Sequence, residues 1–232
     1  MSSATITTSA RLMNSTPQTE EQAMVRKVAV SSFLGNFIEW FDYASYSYFA
    51  TTIALVFFPT DNHTVAMLQT FGVFALSFIL RPIGALFWGS YGDKKGRKAA
   101  LAHSIMFMSG ASFLIGCLPS YSVIGVGAPI LLLLLRMVQG FSASGEYAGA
   151  ATFLGEYAPT SKRGIYCSLI PASTAIGLLA GSTLATLMTA NMNSSAMVGW
   201  GWRVPFLLAG PLGLIVLYIL SLIHISEPTR HL

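Results

Sequence analysis

The sequence predicts an all-α membrane protein with six transmembrane helices. Hydrophobic residues make up 53% of the 232 residues and charged residues only 9%, whereas an ordinary soluble domain carries roughly 25% charged residues. The apolar residues form long uninterrupted blocks, and about 20 such residues suffice for a helix to cross a bilayer. The blocks lie at residues 29–58, 66–91, 99–118, 128–154, 165–190 and 203–222.

The basic residues predict how these spans are oriented. With the N-terminus in the cytoplasm, Arg203 is the one basic residue of the outside loops, and the cytoplasmic segments carry Arg11, Arg26, Lys27, Lys94, Lys95, Arg97, Lys98, Lys162 and Arg163. This asymmetry fits the positive-inside rule. We therefore expect a multi-pass protein of the inner (cell) membrane with both ends cytoplasmic and the lipid bilayer as its surroundings. The net charge of +4 does not indicate a nucleic-acid partner, because no basic patch carries interleaved aromatic residues.

The two ends of the chain are expected to lie outside the bundle, which is predicted over 28–219. Residues 1–27 are predicted to be a disordered cytoplasmic tail, since their first 24 residues are polar and rich in Ser and Thr. The segment 220–232, "LSLIHISEPTRHL", resembles the in-frame translation of a transposase sequencing adapter. We predict that it is not native and that the chain is the front part of a longer protein. The alternative is a genuine cytoplasmic tail.

The segment "GSYGDKKGRK" between the second and third spans is the strongest motif. Gly89 would let two helices approach closely, and Asp93 would accept bonds from backbone N–H groups at a helix start. Gly96 permits a tight turn, and Arg97 and Lys98 would hold the loop in the cytoplasm. This order of residues resembles the signature loop of the major facilitator superfamily, which implies that the loop helps to close the cytoplasmic side in one state.

Four further segments resemble one family of that superfamily, the metabolite:proton symporters: "GNFIEWFDY", "FILRPIGALFWG", "QGFSASGEYAGA" and "GWGWRVPF". "LPSYSVIGVGAPILLLL" and "GEYAGAATFLGEYAP" look closest to the proline/betaine branch, and the resemblance covers nearly all of 30–219. It implies a twelve-helix fold of two six-helix halves, with a small-molecule substrate between them near the midplane. This chain would be the N-terminal half. Its expected partners are substrate, protons and the missing C-terminal half, without which it would not transport.

Three carboxylates and two arginines are predicted to lie in the membrane layer: Glu39, Asp42, Glu146, Arg81 and Arg136. At about 1.5 Å per residue, Glu39, Arg81 and Glu146 lie roughly 14, 16 and 13 Å from the cytoplasmic ends of their helices. Glu39 and Asp42, three residues apart, share a helix face, and Arg136 needs a partner on another helix. Three carboxylates against two arginines leave one carboxylate without a cation. Desolvation favours its neutral form, which suits a proton carrier. The alternative is structural pairing with a carboxyl at the water boundary.

A possible substrate cavity is predicted from Trp40, Tyr43, Tyr46 and Gln139. Aromatic rings can hold a quaternary ammonium group by cation–π contact, although such residues more often serve in packing or in interfacial belts. The favoured function is a proton symporter of a small polar metabolite or compatible solute, with proline or betaine preferred. A dicarboxylate or oxo-acid is the rival substrate, since Arg81 and Arg136 could bind carboxylates. The alternative class is a non-transporting six-helix membrane partner or scaffold protein.

An enzyme is not expected. The segment "GFSAS" nearly matches G-x-S-x-G, but its fifth residue is serine and a membrane span cannot supply the strand–turn–helix context of a nucleophile elbow. The four histidines show no ligand spacing, and the two cysteines lie on different predicted helices. The sequence therefore predicts no metal and no cofactor.

Overall fold

The computed structural model describes residues 16–221, with side chains described for 25–145, 155 and 158–221. Its elements are helices joined by short loops. They are α1 (Thr16–Tyr48), α2 (Ala50–Phe57), α3 (His63–Ile79), α4 (Arg81–Lys95), α5 (Arg97–Cys117), α6 (Tyr121–Ile124), α7 (Gly127–Tyr157), α8 (Arg163–Asn191), α9 (Ser194–Gly199), a 3-10 turn (Gly201–Arg203) and α10 (Val204–Ser221).

The first helix begins earlier than the sequence predicts. Disorder was expected over 1–27, whereas α1 starts at Thr16. Pro17 lies in the first turn, where its missing N–H costs no intrahelical bond, and the segment "TEEQAM" that follows contains good helix formers. With 33 residues, α1 is about 50 Å long, which exceeds the roughly 30 Å of a bilayer core. Residues 1–15 and 222–232 lie outside the described part, and the predicted adapter origin of 220–232 stays a prediction.

Five helical segments of the described residues are long and apolar enough to cross a membrane: His63–Lys95, Arg97–Cys117, Gly127–Gly145, Arg163–Asn191 and Gly201–Ser221. The predicted spans from the third to the sixth match α5, α7, α8 and α10 to within three residues. The first predicted span is less apolar because Asn36, Glu39 and Asp42 interrupt it. All three side chains are buried inside the bundle, so their polarity does not face lipid.

Two predicted spans are each divided in the structure. The first comprises α1 and α2, which are separated at Phe49. The second comprises α3 and α4, which are separated at Leu80. Pro82 explains the second break, because it has no N–H to continue the hydrogen-bond pattern of α3. The break places Arg81 at the start of α4, in the middle of the 33-residue apolar segment.

Small residues bring the helices into backbone contact. A Cβ at Gly140 of α7 would lie 1.9 Å from the Ser77 carbonyl oxygen of α3, and one at Gly84 would lie 2.2 Å from the Phe141 oxygen. On the other side of the bundle, a Cβ at Gly177 of α8 would lie 2.8 Å from a backbone oxygen of α1. Helix α1 therefore packs closely along α8, and α3 and α4 pack closely against α7.

Candidate functional site

The first ion pair joins α1 to the start of α4. The Arg81 guanidinium donates to the Glu39 carboxylate and to the Tyr43 hydroxyl. Its central carbon lies 4.7 Å from the centre of the Phe78 ring and 5.2 Å from that of Tyr43. The side chain of Glu39 is only 3% exposed, whereas that of Arg81 is 28% exposed. Arg81 thus has one face on protein and one face open.

The second ion pair joins α1 to α7 and is fully enclosed. Arg136 Nη1 lies 2.5 Å from Asp42 Oδ2, and the two side chains are 0% and 4% exposed. Gln139 Nε2 donates to Asp42 Oδ1 over 3.2 Å and also to the Ser112 hydroxyl of α5. The Arg136 guanidinium lies 3.9 Å from the centre of the Tyr46 ring, which adds a cation–π contact. Both carboxylate oxygens of Asp42 therefore have a hydrogen-bond donor, and its charge is balanced by that of Arg136.

The two carboxylates do not share a partner. Glu39 and Asp42 were predicted to share one face of α1, but Glu39 contacts the start of α4 and Asp42 contacts α7. Three residues turn a helix by about 300°, so the two side chains diverge by about 60°. That angle is enough for them to reach different neighbouring helices. Arg136 has its partner on another helix, as its spacing from Glu146 requires.

The buried cluster has hydrogen-bonding capacity left over within the described residues. Arg136 Nε and Nη2 and Gln139 Oε1 are buried without a hydrogen-bond partner there, as is Arg81 Nε. Buried polar groups are usually satisfied by protein or by ordered water. Each of the two arginines therefore has donor capacity that its carboxylate partner does not use.

Glu146 belongs to α7, but its side chain lies outside the described residues. The predicted charge layer is consequently described for four of its five members. Each of the two described carboxylates contacts one arginine. Glu146 is therefore the one acid of the predicted layer whose side-chain contacts lie outside the described residues.

The predicted cavity residues fall into two groups. Tyr46 is 0% exposed and its hydroxyl donates to the Thr70 oxygen over 2.9 Å, while Gln139 is held by Asp42. Trp40 is half-buried, and its ring meets that of Tyr43 edge-on at 5.7 Å. Tyr46 and Gln139 therefore contact the buried pair of Arg136 and Asp42. The side chain of Trp40 is partly exposed.

The motif loop differs from its predicted geometry at two positions. Asp93 was expected at a helix start, but it lies near the end of α4 and contacts Arg97 over 2.9 Å. Gly89 was expected at a close helix contact, but a Cβ there would meet no atom within 4 Å. Gly92 takes that place: it is buried, and a Cβ there would lie 3.4 Å from Ala100 and Arg97 atoms. Helix α4 continues to Lys95, four residues beyond the end of the predicted span at residue 91.

The turn itself is as predicted. Gly96 ends α4 with φ of 91°, a backbone conformation that residues with a Cβ rarely adopt. Lys98 lies in the first turn of α5, directly after Arg97. The exposed ion pair of Asp93 and Arg97 spans this short turn.

Asn36 is a buried polar residue that the sequence analysis missed. Its Nδ2 donates to the Ile170 oxygen over 3.1 Å and lies 2.8 Å from both the Ser173 and Thr174 hydroxyls of α8. These contacts lie next to Pro171, which interrupts the bonding of α8. The available signal was its position three residues before Glu39, on the same polar stripe of α1.

The apolar helical bundle with charges paired in its interior is that of a multi-pass membrane protein. The family described as "Sugar (and other) transporter" matches residues 27–226, and the chain belongs to this family of the major facilitator superfamily. Its relatives are transporters and not enzymes. The match includes the first seven residues of the segment 220–232.

Two relatives with high identity are longer than this chain. The glycine betaine/proline/ectoine/pipecolic acid transporter OusA of Dickeya dadantii is 43% identical over 199 residues, which are 86% of this chain and 40% of that protein. The proline/betaine transporter of Escherichia coli (strain K12) is 42% identical with the same coverage. The chain therefore spans about 40% of the length of these relatives.

Solved structures show the same fold. The proton:xylose symporter XylE superimposes with a TM-score of 0.75 at 16% identity, covering 87% of this chain and 45% of that one. An inward-open form of XylE from E. coli gives a TM-score of 0.72 at 17% identity and covers 85% and 47%. The chain corresponds to roughly half of a major facilitator fold.

Proposed function

We propose that this chain is the N-terminal half of a proton-coupled symporter of a small polar metabolite, with proline or betaine as the favoured substrate. The observation that carries the proposal is the pair of ion pairs, Glu39–Arg81 and Asp42–Arg136, inside an apolar bundle. Ionisable groups are expensive at such depth and usually mark substrate or proton pathways. The names of the relatives support the choice of substrate.

The missing part would be a second six-helix half. The chain covers about 40% of its relatives, and a single half cannot enclose a site between two halves. We infer that the chain does not transport alone, that its N-terminus is cytoplasmic and that it resides in the inner membrane. Sequencing the genomic locus across codon 220 tests the truncation. Recovery of the "SLIHISEPTRHL" codons before a natural stop would overturn it.

Proton coupling would act through the balance of charges. Asp42 and Glu39 each contact an arginine, and the three-to-two count means that one of Glu39, Asp42 and Glu146 would be free to carry the proton. Protonation of a paired carboxylate would instead release its arginine, which is a second way to link protons to conformational change. Either route would favour rocking of one half against the other.

Arg81 is the better candidate for contact with a substrate carboxylate. It is 28% exposed, whereas Arg136 is 0% exposed and enclosed by Asp42 and Tyr46. Trp40 lies next to Tyr43, whose hydroxyl Arg81 contacts. A zwitterion such as betaine offers a carboxylate to Arg81 and a quaternary ammonium group to Trp40. A dicarboxylate or oxo-acid would use Arg81 but gain nothing from the tryptophan.

The segment from Gly89 to Lys98 would close the cytoplasmic side in one state. The exposed pair of Asp93 and Arg97 and the tight turn at Gly96 supply a short polar connection for that contact.

A chimaera tests the transport proposal. Residues 28–219 replace the aligned segment of the E. coli proline/betaine transporter, in cells without other uptake of proline or betaine. We expect accumulation of betaine that depends on the pH gradient, and little accumulation of a dicarboxylate. Trp40→Ala should weaken betaine uptake, while Tyr48→Ala, which alters a side chain that is 62% exposed, should not. A membrane-inserted chimaera that accumulates neither class of substrate would favour the scaffold alternative.

The proton carrier is tested in the same chimaera after reconstitution into proteoliposomes. The variants are Glu39→Gln, Asp42→Asn and Glu146→Gln. Neutralising the carrier should abolish uptake driven by a pH gradient and spare counterflow, since exchange moves no net proton. Neutralising a structural partner should damage both activities, because it strands a buried arginine. If all three variants still accumulate substrate when a pH gradient is imposed, none of these carboxylates couples transport to protons.

A further inference from the structure

We propose that an anionic phospholipid of the bilayer binds in the groove between α4, α5 and α7. The groove has a volume of about 540 Å³ and an apolar lining that includes Leu80, Phe87, Trp88, Phe107, Val138 and Phe141. Phe87 and Phe107 are 50% and 49% exposed, and Val138 is 40% exposed. These side chains are thus walls of an open cleft on a membrane-spanning bundle, where the surrounding solvent is hydrocarbon.

The groove has the direction and length that an acyl chain needs. Leu80 and Trp88 are eight residues apart along α4, which corresponds to about 12 Å parallel to the helix axis. The rings of Trp88 and of Phe141 in α7 pack against each other, with their centres 6.0 Å apart, and both line the groove. A flexible hydrocarbon chain lying along α4 would cover these aromatic walls without desolvating any polar group.

The end of α4 supplies positive charge in line with the groove. Lys94 and Lys95 follow Phe87 and Trp88 by seven residues. Seven residues are close to two helical turns, so the lysines share the groove's face and lie about 10 Å beyond it. Both lysines are exposed, whereas the nearby Arg97 is paired with Asp93. Basic residues beside a cleft between transmembrane helices are typical of anionic headgroup sites.

Two polar aromatic residues lie between the groove and the lysines. The ring of Tyr91 meets that of Trp88 at 5.8 Å and that of His103 at 5.7 Å. The Tyr91 hydroxyl and His103 Nδ1 lie 3.5 Å apart. Hydrogen-bonding groups at this level match the glycerol ester oxygens of a lipid, which lie between its tails and its phosphate. Apolar, polar and cationic groups therefore follow one another in the order in which a phospholipid presents its own parts.

Native mass spectrometry tests the choice of headgroup. The delipidated 232-residue chain, in a neutral detergent, is titrated with dioleoyl phosphatidylglycerol or dioleoyl phosphatidylcholine. A lysine near the membrane surface contributes roughly fivefold in affinity for anionic lipid, so Lys94→Gln with Lys95→Gln should weaken phosphatidylglycerol binding about 25-fold. The matched variant Lys162→Gln with Arg163→Gln alters another basic loop and should change nothing. Equal binding of the two lipids, or equal loss in both double variants, would overturn the headgroup assignment.

Filling the groove tests its location. Val138→Trp should reduce binding of phosphatidylglycerol at least tenfold, while Leu214→Trp, on the separate α5–α10 groove, should not. Circular dichroism checks the helix content, and Leu134→Trp replaces Val138→Trp if the latter disturbs it. A phosphatidylglycerol with a photoreactive acyl chain should label peptides of α4 and α7, and labelling confined to α10 would overturn the site. Glycerol phosphate should not displace the lipid; displacement would instead indicate a site for free phosphate.

Discussion

Asp42→Asn should be the most destabilising of the neutral carboxylate substitutions. The amide keeps the shape of the side chain but removes the negative charge that faces Arg136, which is 0% exposed. Gln139 Nε2 also loses a charged acceptor. Because water cannot reach the arginine, the full cost of an uncompensated buried charge applies, about 3–5 kcal/mol. The nearby ring of Tyr46, 3.9 Å away, returns only part of this through cation–π attraction.

The chain offers a matched exposed pair as the control. Asp93 and Arg97 form an ion pair one helical turn apart whose side chains are 66% and 43% exposed. Asp93→Asn should therefore cost only about 0.3–0.5 kcal/mol. The double substitution Asp42→Leu with Arg136→Met should cost less than Asp42→Asn alone, because it removes both charges together.

The measurement is reversible unfolding in mixed micelles of increasing dodecyl sulfate content, followed by far-ultraviolet circular dichroism. The free energies of unfolding of the variants are compared at the same micelle composition. Asp42→Asn must lower the free energy of unfolding more than Asp93→Asn if the reasoning is to hold. Likewise, the double substitution must cost less than the sum of Asp42→Leu and Arg136→Met measured singly. Failure of either condition would show that the buried pair does not stabilise the protein.

Three further predictions concern packing, capping and topology. Gly140→Ala should destabilise the bundle by about 1–3 kcal/mol, because its Cβ would lie 1.9 Å from a backbone oxygen. Gly110→Ala, whose Cβ would meet no atom within 4 Å, should be neutral in the same unfolding assay. Equal stability of the two variants would refute the close contact. Arg203→Met should cost about 1 kcal/mol, since it removes the Nη1 that donates to two carbonyls at the end of α5. An unchanged unfolding midpoint would refute this cap. A membrane-impermeant maleimide should label the exposed Cys117 in intact cells and the half-buried Cys167 only after permeabilisation, and the reverse pattern would refute the proposed orientation.

The charge layer could be predicted from the sequence, but its pairing could not. Carboxylates and arginines stand out in apolar spans, and the rise of a helix gives their depth. Which acid meets which arginine depends on the rotation of α1 relative to α4 and α7, and a turn of about 60° decides between two neighbours. Asn36 escaped notice because an uncharged amide costs less in a membrane than a carboxylate, so it stands out less from the apolar residues around it.

The motif loop shows a different limit. The turn at Gly96 follows from its residue type, because only glycine readily adopts the observed φ of 91°. The role of Gly89 could not be derived in that way, since close contact depends on where the neighbouring helix passes. Helix α5 approaches α4 at Gly92, one turn further along. The start of α1 at Thr16 also differs from the prediction. The disorder predicted for residues 1–27 rested on their polarity, and it did not take their helix propensity into account.

The backbone contacts at Gly140 and Gly177 bear on how mechanical force would pass through the molecule. Side chains that separate two helices can change rotamer and absorb a displacement, but two main chains in contact cannot. With α7 in backbone contact with α3 and α8 in backbone contact with α1, the two helices of each pair resist sliding over one another. A displacement of α3 or of α8 along its axis would therefore be passed to its partner helix with little lost to internal deformation. Substitutions that add a methyl group at these two glycines would weaken that coupling even where the protein still folds.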